Sequence, residues 1–379
     1  MTRITFVISI AVMVLQLCAC EEDPATDGGD GPWLVRNDVP ANDFKPAEIE
    51  LAVNTVVQAL NAEQRATDLK FSFIPKDLGR FFGAMAEGAN HAFTELGVIN
   101  TVIAPVPSDG SRDPEIQKAL QISYVQNHVS SGFNGIGLAS MGVELVPEID
   151  AAVDNGLTVI TFDSDEPTSK RQLYVGTINT ESGKTAGGTM LQLLAGQTTG
   201  TVVILGYDNT DWTDGYDRTH EARKVLEAAG LTVVIQHTDW GDQDANQAGI
   251  LEKLTSASPA AVGCLGVFSN SYLCANAADE AGIIDQIKMV AFDFEPATLE
   301  WMEAGKIQMT HVQRQYYMGY IVPYLMYAIN VLGLPQTKAL VSNIMVDAMR
   351  IDTGLDVVPA DGIVAYNQYL ETLGTLQTQ

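Results

Sequence analysis

Short apolar runs of strand length alternate with helix-periodic segments along most of this 379-residue chain. Residues 135–138, for example, form such a run, and residues 143–155 after them carry apolar positions at helical spacing. Strands that alternate with helices of ten or more residues imply parallel sheets joined by right-handed crossovers. The rhythm runs to about residue 195 and restarts at residue 201. We therefore predict an α/β fold of two doubly wound domains with parallel sheets and a cleft between them.

The individual elements follow from the same periodicity. Strands are predicted at residues 71–74, 98–105, 135–138, 157–162, 173–176, 201–205, 231–236, 260–267, 287–292 and 307–312, with a last strand-rich segment at 340–350. Helices are predicted at residues 46–66, 85–97, 114–129, 143–155, 181–195, 214–229, 243–256, 271–281, 296–304 and 316–332.

The stretch from residue 69 to residue 97 combines a strand, a loop and a helix at the front of the first domain. The loop carries an aromatic pair, Phe81 and Phe82, just before the helical pattern starts at Met85. In open α/β sheets, ligands lie in the crevice beyond the carboxyl ends of the strands, where this loop is expected. The aromatic pair is therefore either part of the core or one wall of a binding site.

The first residues predict the compartment. Arg3 is the only charged residue before an apolar run at residues 4–17, and Leu17-Cys18-Ala19-Cys20 fits a lipoprotein cleavage box. The run is short for a permanent membrane helix, although an uncleaved anchor is the alternative. We expect residues 1–19 to be a signal peptide, Cys20 to carry the lipid, and residues 20–44, rich in Asp, Gly and Pro, to form a flexible tether. The protein would then lie in the periplasm or cell envelope, facing outward and held to a membrane by its lipid alone.

The formal charge of −26 disfavours nucleic acid and anionic lipid headgroups as partners. Cys264 and Cys274, ten residues apart, could form one disulfide in an oxidising envelope or remain two buried free thiols.

Several local patterns resemble known motifs but fail on spacing. Residues 180–185 end like a phosphate-binding loop but lack its first glycine, and Gly135-Ile-Gly137 lacks the third glycine of a dinucleotide fingerprint. Asp208, Asp211, Asp214 and Asp217 recur every three residues, whereas calcium loops place ligands at alternate positions. The five histidines fall in no metal or triad motif. We expect no enzymatic activity, no cofactor and no metal.

Side chains suited to a polyhydroxyl ligand stand at or beyond the ends of the predicted strands. Carboxylates accept hydrogen bonds from hydroxyls, a guanidinium donates, amides do both, and aromatic rings cover the C–H faces of a sugar. Alternatively, the aspartates cap helices and the aromatics are core, but eight such residues at corresponding positions favour a site. The eight residues are Phe81, Phe82, Asp163, Arg218, Trp240, Asn270, Asp293 and Gln313.

At these residues the chain resembles a known family, the type I periplasmic sugar-binding proteins of ABC transporters, in the ribose and galactose group. The resemblance covers about residues 69–335. It is carried by the segments GRFFGAMAEGANHAFTELG, VPEIDAAVDNGLTVITFDSD, NTESGKTAGGTM, DRTHEARKVLEAAG, VFSNSYLCANAADEAG, VAFDFEP and GKIQMTHVQRQYYMGY.

This resemblance implies two Rossmann-like domains joined by a three-segment hinge. The N-terminal subdomain would comprise residues 69–178 and 314–337, the C-terminal subdomain residues 179–313 and 338–379, and residues 45–68 a leading helix. By resemblance, Phe81, Phe82 and Trp240 stack on the sugar. Asp163, Arg218, Asn270, Asp293 and Gln313 would bond its hydroxyls.

The implied function is that of a lipid-anchored, monomeric solute-binding protein. It would capture a neutral monosaccharide by domain closure and deliver it to an ABC permease. One alternative is a sensory receptor of the same fold that docks a chemoreceptor or a histidine kinase. A sugar-responsive transcription factor is disfavoured by the signal peptide and the acidic charge.

The chain also departs from the family pattern. Ser164 and Asp165 follow Asp163 where an arginine is frequent, and the first loop carries Lys76 and Arg80. We expect both basic side chains on a solvated loop face. Either one turned inward would allow an acidic or phosphorylated sugar.

Overall fold

The computed structural model describes residues 31–37, 39–107, 113–210 and 212–375. The expected signal peptide, the expected lipidation site Cys20 and the first part of the expected tether lie outside the described residues. Residues Leu34–Gln379 form one compact unit. Among the described residues, no helix combines the length and apolar character needed to cross a membrane.

The compact unit contains two six-stranded sheets. The first consists of β1 (Lys70–Ile74), β2 (Ile99–Val102), β3 (Gly135–Leu138), β4 (Thr158–Phe162), β5 (Leu173–Gly176) and β11 (Arg350–Asp352). Its spatial order is β11-β5-β4-β3-β1-β2, and every pair is parallel. The second consists of β6 (Thr201–Gly206), β7 (Thr232–His237), β8 (Ala261–Gly266), β9 (Lys288–Phe292), β10 (Met309–Gln313) and β12 (Leu355–Pro359). Its order is β12-β10-β9-β8-β6-β7, parallel except where β12 runs antiparallel to β10.

Helices cover the faces of both sheets. The first lobe is the first sheet with α1 (Ala47–Leu60), α2 (Arg80–Leu96), α3 (Pro114–Ser130), α4 (Val146–Asp154), α10 (Gln315–Leu332) and α11 (Leu334–Leu340). The second lobe is the second sheet with α5 (Asn179–Leu193), α6 (Thr213–Ala228), α7 (Gln243–Ser256), α8 (Tyr272–Glu280), α9 (Pro296–Glu303) and α12 (Ile363–Thr372). The predicted fold class, two doubly wound domains with parallel sheets, is confirmed.

The strand order places a switch point in each lobe. In the first sheet β1 lies between β2 and β3, and in the second β6 lies between β7 and β8. Connections leave in opposite directions on the two sides of such a strand, which opens a crevice at its carboxyl end. The loops that follow β1 and β6 therefore lie where a ligand is expected.

The chain passes between the two sheets three times. Residues 177–178 connect β5 to α5, Arg314 connects β10 to α10, and residues 353–354 connect β11 to β12. These three crossing segments form the hinge that the resemblance implied.

One boundary of the predicted subdomains is wrong. Residues 338–379 were assigned to the C-terminal subdomain, yet β11 pairs with β5 of the first sheet. Moreover, the strand-rich segment expected at residues 340–350 is mostly turn, and regular strand begins only at Arg350. The returning chain pairs with β5 before it crosses, so that β11 becomes the edge strand of the first sheet.

Two predicted helix boundaries also differ. The leading helix α1 ends at Leu60 rather than near residue 66. There the Asn61 side chain bonds both the N–H and the carbonyl of Leu34, which turns the chain out of the helix. Helix α2 begins at Arg80, before Phe81 and Phe82, because an Asp77 carboxylate oxygen accepts the N–H groups of two successive residues, Leu78 and Gly79, and closes the loop early.

Candidate ligand-binding site

A cavity of about 270 Å³, the main compartment, lies between the two lobes. It is lined by Lys76, Phe81, Phe82, Asp163 and Ser164 of the first lobe, and by Asn179, Trp212, Asp214, Arg218, Trp240, Phe268, Ser269, Asp293, Glu295 and Gln313 of the second. Seven of the eight predicted residues are thereby brought together, and only Asn270 is absent from the lining. Their role in binding stays a prediction.

Two aspartates occupy equivalent strained positions in the two lobes. Asp163 follows β4 with φ 61°, and Asp293 follows β9 with φ 63°. Each is held there by its backbone N–H, which donates to the neighbouring strand, at Val175 and His311 respectively. A left-handed backbone costs a non-glycine residue about 1–2 kcal/mol, and such strain concentrates at functional sites. In both lobes the strand end therefore turns a carboxylate into the main compartment.

The Asp293 carboxyl is buried, with 7% of the residue exposed. Burial raises its pKa to about 6, an effect that the nearby Arg218 charge and a 3.3 Å hydrogen bond from Gln313 offset in part. Desolvation likewise raises the pKa of Asp214 to about 6, reinforced by Asp163 and opposed by Arg218. Each carboxyl thus has a protein donor, Gln313 for Asp293 and Asn179 for Asp214, but has lost most of its water, and ligand hydroxyls could supply further donors.

Arg218 is the buried cation of the site. Its Nε and Nη2 donate to Oδ1 of Asn179 at 2.9 and 2.6 Å, and its Nη1 donates to the Val267 carbonyl at 2.9 Å. These bonds use three of the five guanidinium N–H groups and leave two for a ligand. A Cβ on Gly183 would lie 2.3 Å from the Arg218 carbonyl oxygen, so glycine lets α5 pack directly on α6 there. Desolvation lowers the pKa of Arg218, while the facing aspartates oppose the shift.

Lys76 does not lie on a solvated loop face, so the expectation for this residue is wrong. Its ammonium group contacts Ser164 and lies 3.6 Å from a carboxylate oxygen of Asp163. It also lies 5.9 Å from the centre of the Phe82 ring. Pairing with Asp163 draws it inward, because a partly buried carboxylate attracts a long flexible cation. The side chain of Arg80 lies outside the described structure.

Aromatic rings form walls on both sides of the main compartment. Phe81 and Phe82 are half-buried and meet edge to face, with ring centres 5.2 Å apart. Trp240 faces them from the second lobe and is 47% exposed. The choice left open for the pair, core or wall, is thus answered: both rings line the cavity.

Asn270 lies just behind the lining residue Ser269. It is 4% exposed, and its side-chain nitrogen donates to Gln243 at 3.2 Å. Within the described part of the chain its side-chain oxygen has no hydrogen-bond partner. Its amide is therefore buried at the edge of the site and only half satisfied.

The sequence patterns missed several lining residues. Asn179 and Asp214 lie in the first turns of α5 and α6, a position that suggests helix capping rather than ligand contact. Trp212 stacks on Phe268 with ring centres 5.0 Å apart, but no strand-end pattern pointed to either ring. The position of Asn179 directly after a crossing segment was the one available signal. Ser164, Ser269 and Glu295 were also missed.

Two further expectations concern metals and thiols. Among the residues that the structure describes, no group of three or more His, Cys, Asp or Glu could hold a metal ion. Asp211 of the acidic cluster lies outside those residues. Cys264 and Cys274 are both buried free thiols, which is one of the two alternatives left open.

The chain matches a family model described as a periplasmic binding protein domain over residues 71–331. The match runs from β1 into α10 and so includes both lobes.

Solved structures share this architecture. A solute-binding protein of an ABC transporter from Burkholderia graminis, in complex with D-arabinose, is 27% identical, with a TM-score of 0.60 over 80% of this chain and 99% of the other. An arabinose binding protein from Geobacillus stearothermophilus is 23% identical, with a TM-score of 0.65 over 78% of this chain and 98% of the other. A periplasmic ribose ABC transporter protein from Conexibacter woesei is 19% identical, with a TM-score of 0.66 over 80% of this chain and 95% of the other.

Proposed function

Because this chain belongs to the family of periplasmic binding protein domains, we propose that it captures a small neutral sugar between its two lobes. The observation that carries the proposal is the main compartment, where carboxylates and aromatic rings from both lobes face one another. A sugar matches this set, because its hydroxyls bond the carboxylates and its C–H faces cover the rings. Three relatives named above are described as binding arabinose or as a ribose transporter, which makes pentoses the first candidates.

The charges of the main compartment favour an uncharged ligand. Three carboxylates, Asp163, Asp214 and Asp293, face two cations, Lys76 and Arg218, which leaves a net charge of −1 before Glu295 at the rim is counted. An acidic or phosphorylated sugar would add negative charge to this surface. Lys76, the cation that could have received it, is already engaged by Asp163.

Binding would work by closure of the lobes. Asp163 and the Phe81–Phe82 pair belong to the first lobe, whereas Arg218, Asp293 and Trp240 belong to the second. A ligand that contacts both sets stabilises the closed arrangement only through these differential contacts. An epimer that leaves one buried donor or acceptor unpaired loses roughly 1–3 kcal/mol, which gives the site its selectivity.

Delivery to an ABC permease and a lipid anchor on Cys20 complete the proposal. No catalytic step is involved. The protein would present the closed, loaded form to the membrane subunits from the outer face.

The first test identifies the ligand directly. The purified protein is denatured and any released small molecule is identified by mass spectrometry. A thermal-shift panel of D-ribose, L- and D-arabinose, D-xylose, D-glucose and D-galactose follows, with their uronic acids included. A ligand that binds only the folded state raises the melting temperature with concentration.

The matched variants are Asp293→Asn in the site and Asp279→Asn on the exposed surface of α8. We expect Asp293→Asn to weaken sugar binding about 10- to 150-fold and so to reduce the shift at a given sugar concentration, because the ligand hydroxyls lose a charged acceptor worth about 1.5–3 kcal/mol. Asp279→Asn should keep the full shift. If no sugar shifts the wild type, the sugar proposal is wrong.

Delivery is tested in cells that carry a deletion of the gene. Loss of uptake of the bound sugar, restored by the wild type but not by Asp293→Asn, would support import. Unchanged uptake of a sugar that the purified protein binds would favour the sensory receptor instead.

A further inference from the structure

A second and larger cavity, the side compartment, adjoins the main one. It measures about 720 Å³, against 270 Å³ for the main compartment. The two share three wall residues, Asn179, Trp212 and Asp214. They are therefore neighbouring spaces, a narrow sugar-sized one and a wider one beside it.

The side compartment is built on the hinge. Its floor includes Thr177 and Ile178 of the first crossing segment and Tyr174 of β5. The Tyr174 hydroxyl bonds the carbonyl of Asp163 at 3.1 Å and that of Thr177 at 3.4 Å, which fixes this floor to the main compartment. In a hinged closure, atoms near the axis move least. The hinge side of this compartment should therefore change least when the lobes close on a ligand.

A buried hydroxyl in this floor lacks a partner. Thr177 is 3% exposed, and its Oγ1 makes no hydrogen bond to the described residues. Because this oxygen has almost no accessible surface, a ligand in the side compartment would meet the other wall residues rather than the Thr177 hydroxyl.

An aromatic surface faces the same space. Trp212 packs one side on Phe268, with an angle of 25° between the ring planes, yet 37% of the residue remains exposed. An exposed tryptophan face beside carboxylates suits the C–H face of a sugar ring, as in the main compartment.

Most of the charged side chains in these walls are paired with other side chains of the protein. Asp165 pairs with Arg171, Asp347 pairs with Arg350 at 2.7 Å, and Glu166 accepts a 2.7 Å hydrogen bond from Ser140. Asp214 and Asp217 remain, so the surface offered to a ligand is neutral to acidic. It opposes a phosphate or carboxylate and accepts hydroxyls.

We propose that the ligand is a neutral glycoside larger than a monosaccharide, with one sugar unit in the main compartment and a second sugar unit in the side compartment against Trp212. This inference rests on the proposed function, because it extends the same cleft to a larger member of the same substrate class. The second unit would share Asn179 and Asp214 with the first.

The test compares each monosaccharide with its disaccharide by isothermal titration calorimetry on the wild-type protein. The pairs are D-xylose and xylobiose, L-arabinose and arabinobiose, D-glucose and cellobiose, and D-galactose and lactose. We expect at least one disaccharide to bind tenfold or more tightly than the corresponding monosaccharide.

A variant that fills only the side compartment supplies the control. Ala348 is exposed and lines the side compartment but not the main one. Ala348→Trp should remove the disaccharide's advantage and leave monosaccharide affinity within twofold, whereas Ala348→Ser should change neither.

The outcomes separate the two proposals. If monosaccharides bind and every disaccharide binds equally or more weakly, the glycoside inference is overturned and the sugar-binding function stands. An unchanged disaccharide affinity in Ala348→Trp overturns the inference in the same way. If no saccharide of either size binds, both proposals are wrong.

Discussion

At the residue scale, Asp163 and Asp293 show that the chain accepts backbone strain where it places carboxylates in the cleft. A glycine would adopt their left-handed backbone without strain, and an asparagine would avoid a buried charge. The chain instead places an aspartate at both strand ends. The two positions are equivalent in the two lobes, so both lobes accept the same local cost to aim a carboxylate at the same space.

Asp293 should make the ligand-free protein less stable as the pH rises. Its folded pKa is raised to about 6 by desolvation, above an unfolded value near 4. Between these values the folded state holds more protons than the unfolded state, so the free energy of unfolding falls as pH rises from about 4 to 6. The expected loss is roughly 1–3 kcal/mol. Denaturant unfolding at several pH values measures it.

Asp293→Asn is the control for this pH dependence, since its side chain cannot ionise. The variant should be the more stable form at pH 7, and its advantage should vanish near pH 4. Asp163, Arg218 and Glu295 also act on Asp293, and all three remain in the variant. An advantage that does not change with pH would contradict the assigned cause.

At the element scale, the crossing segments carry unusual polar groups. Thr177, Gln315 and Thr353 lie in or directly beside the three segments, and each has a buried polar side-chain atom without a partner among the described residues. Buried polar atoms are normally paired. An unpaired polar atom at each of the three crossing segments therefore points to a second conformation of the hinge in which these atoms have partners. The hinge would then be balanced between two states, as closure requires.

Replacing both threonines with valine should therefore stabilise the arrangement seen here. In Thr177→Val/Thr353→Val, two unsatisfied hydroxyls become methyl groups of the same shape, which should raise the free energy of unfolding by about 1–2 kcal/mol. Thr201→Val is the matched control, because its buried hydroxyl bonds the Pro259 carbonyl at 2.6 Å and its loss should destabilise. Urea unfolding of the wild type, the double variant and Thr201→Val measures these changes. A double variant less stable than the wild type would contradict this account.

The elements also show what could be predicted from sequence. Strands β3 and β5 match their predicted bounds, because both are fully buried apolar runs with clear flanks. The start of α2 was missed because a side-chain turn at Asp77 sets it. Strand β11 was missed because an edge strand of three residues has no periodicity of its own.

The same distinction applies to the site. The strand-end positions of Asp163 and Asp293 could be found because the apolar run of each buried strand stops in the sequence directly before the aspartate. The inward turn of Lys76 could not, since it depends on pairing with a carboxylate on another strand. Asp214 was set aside as one of four aspartates with the wrong spacing for a calcium loop, and only tertiary packing of α6 brings it into the cleft. The family resemblance drawn from the motifs is confirmed by the domain match.

At the scale of the whole molecule, Arg314 ties distant parts of the chain together. From the second crossing segment it donates to Asp356 of β12 at 2.8 Å, to Glu48 of α1 at 2.6 Å and to the Thr353 carbonyl at 3.1 Å. One side chain thus joins the leading helix, two crossing segments and the edge of the second sheet.

The two ion pairs of Arg314 should differ sharply in their contribution to stability. The Asp356 side chain is 3% exposed, whereas that of Glu48 is 52% exposed. Arg314→Ala leaves a buried carboxylate without its cation and should cost about 3–5 kcal/mol of unfolding free energy. Glu48→Ala breaks a solvated pair and should cost less than about 1 kcal/mol. Equal losses in denaturant unfolding would show that burial does not govern this network.

The segment before the matched domain is attached to one of the two lobes. Arg36 bonds Tyr320 of α10 at 3.0 Å, and the Asn37 N–H donates to Glu95 of α2 at 2.7 Å, so the start of the compact unit is fastened to the first lobe. With a lipid on Cys20, as proposed, the first lobe would be the one tethered to the membrane, and the second lobe would move relative to it. Closure on a ligand would then bring the second lobe toward the lobe that the tether links to the membrane.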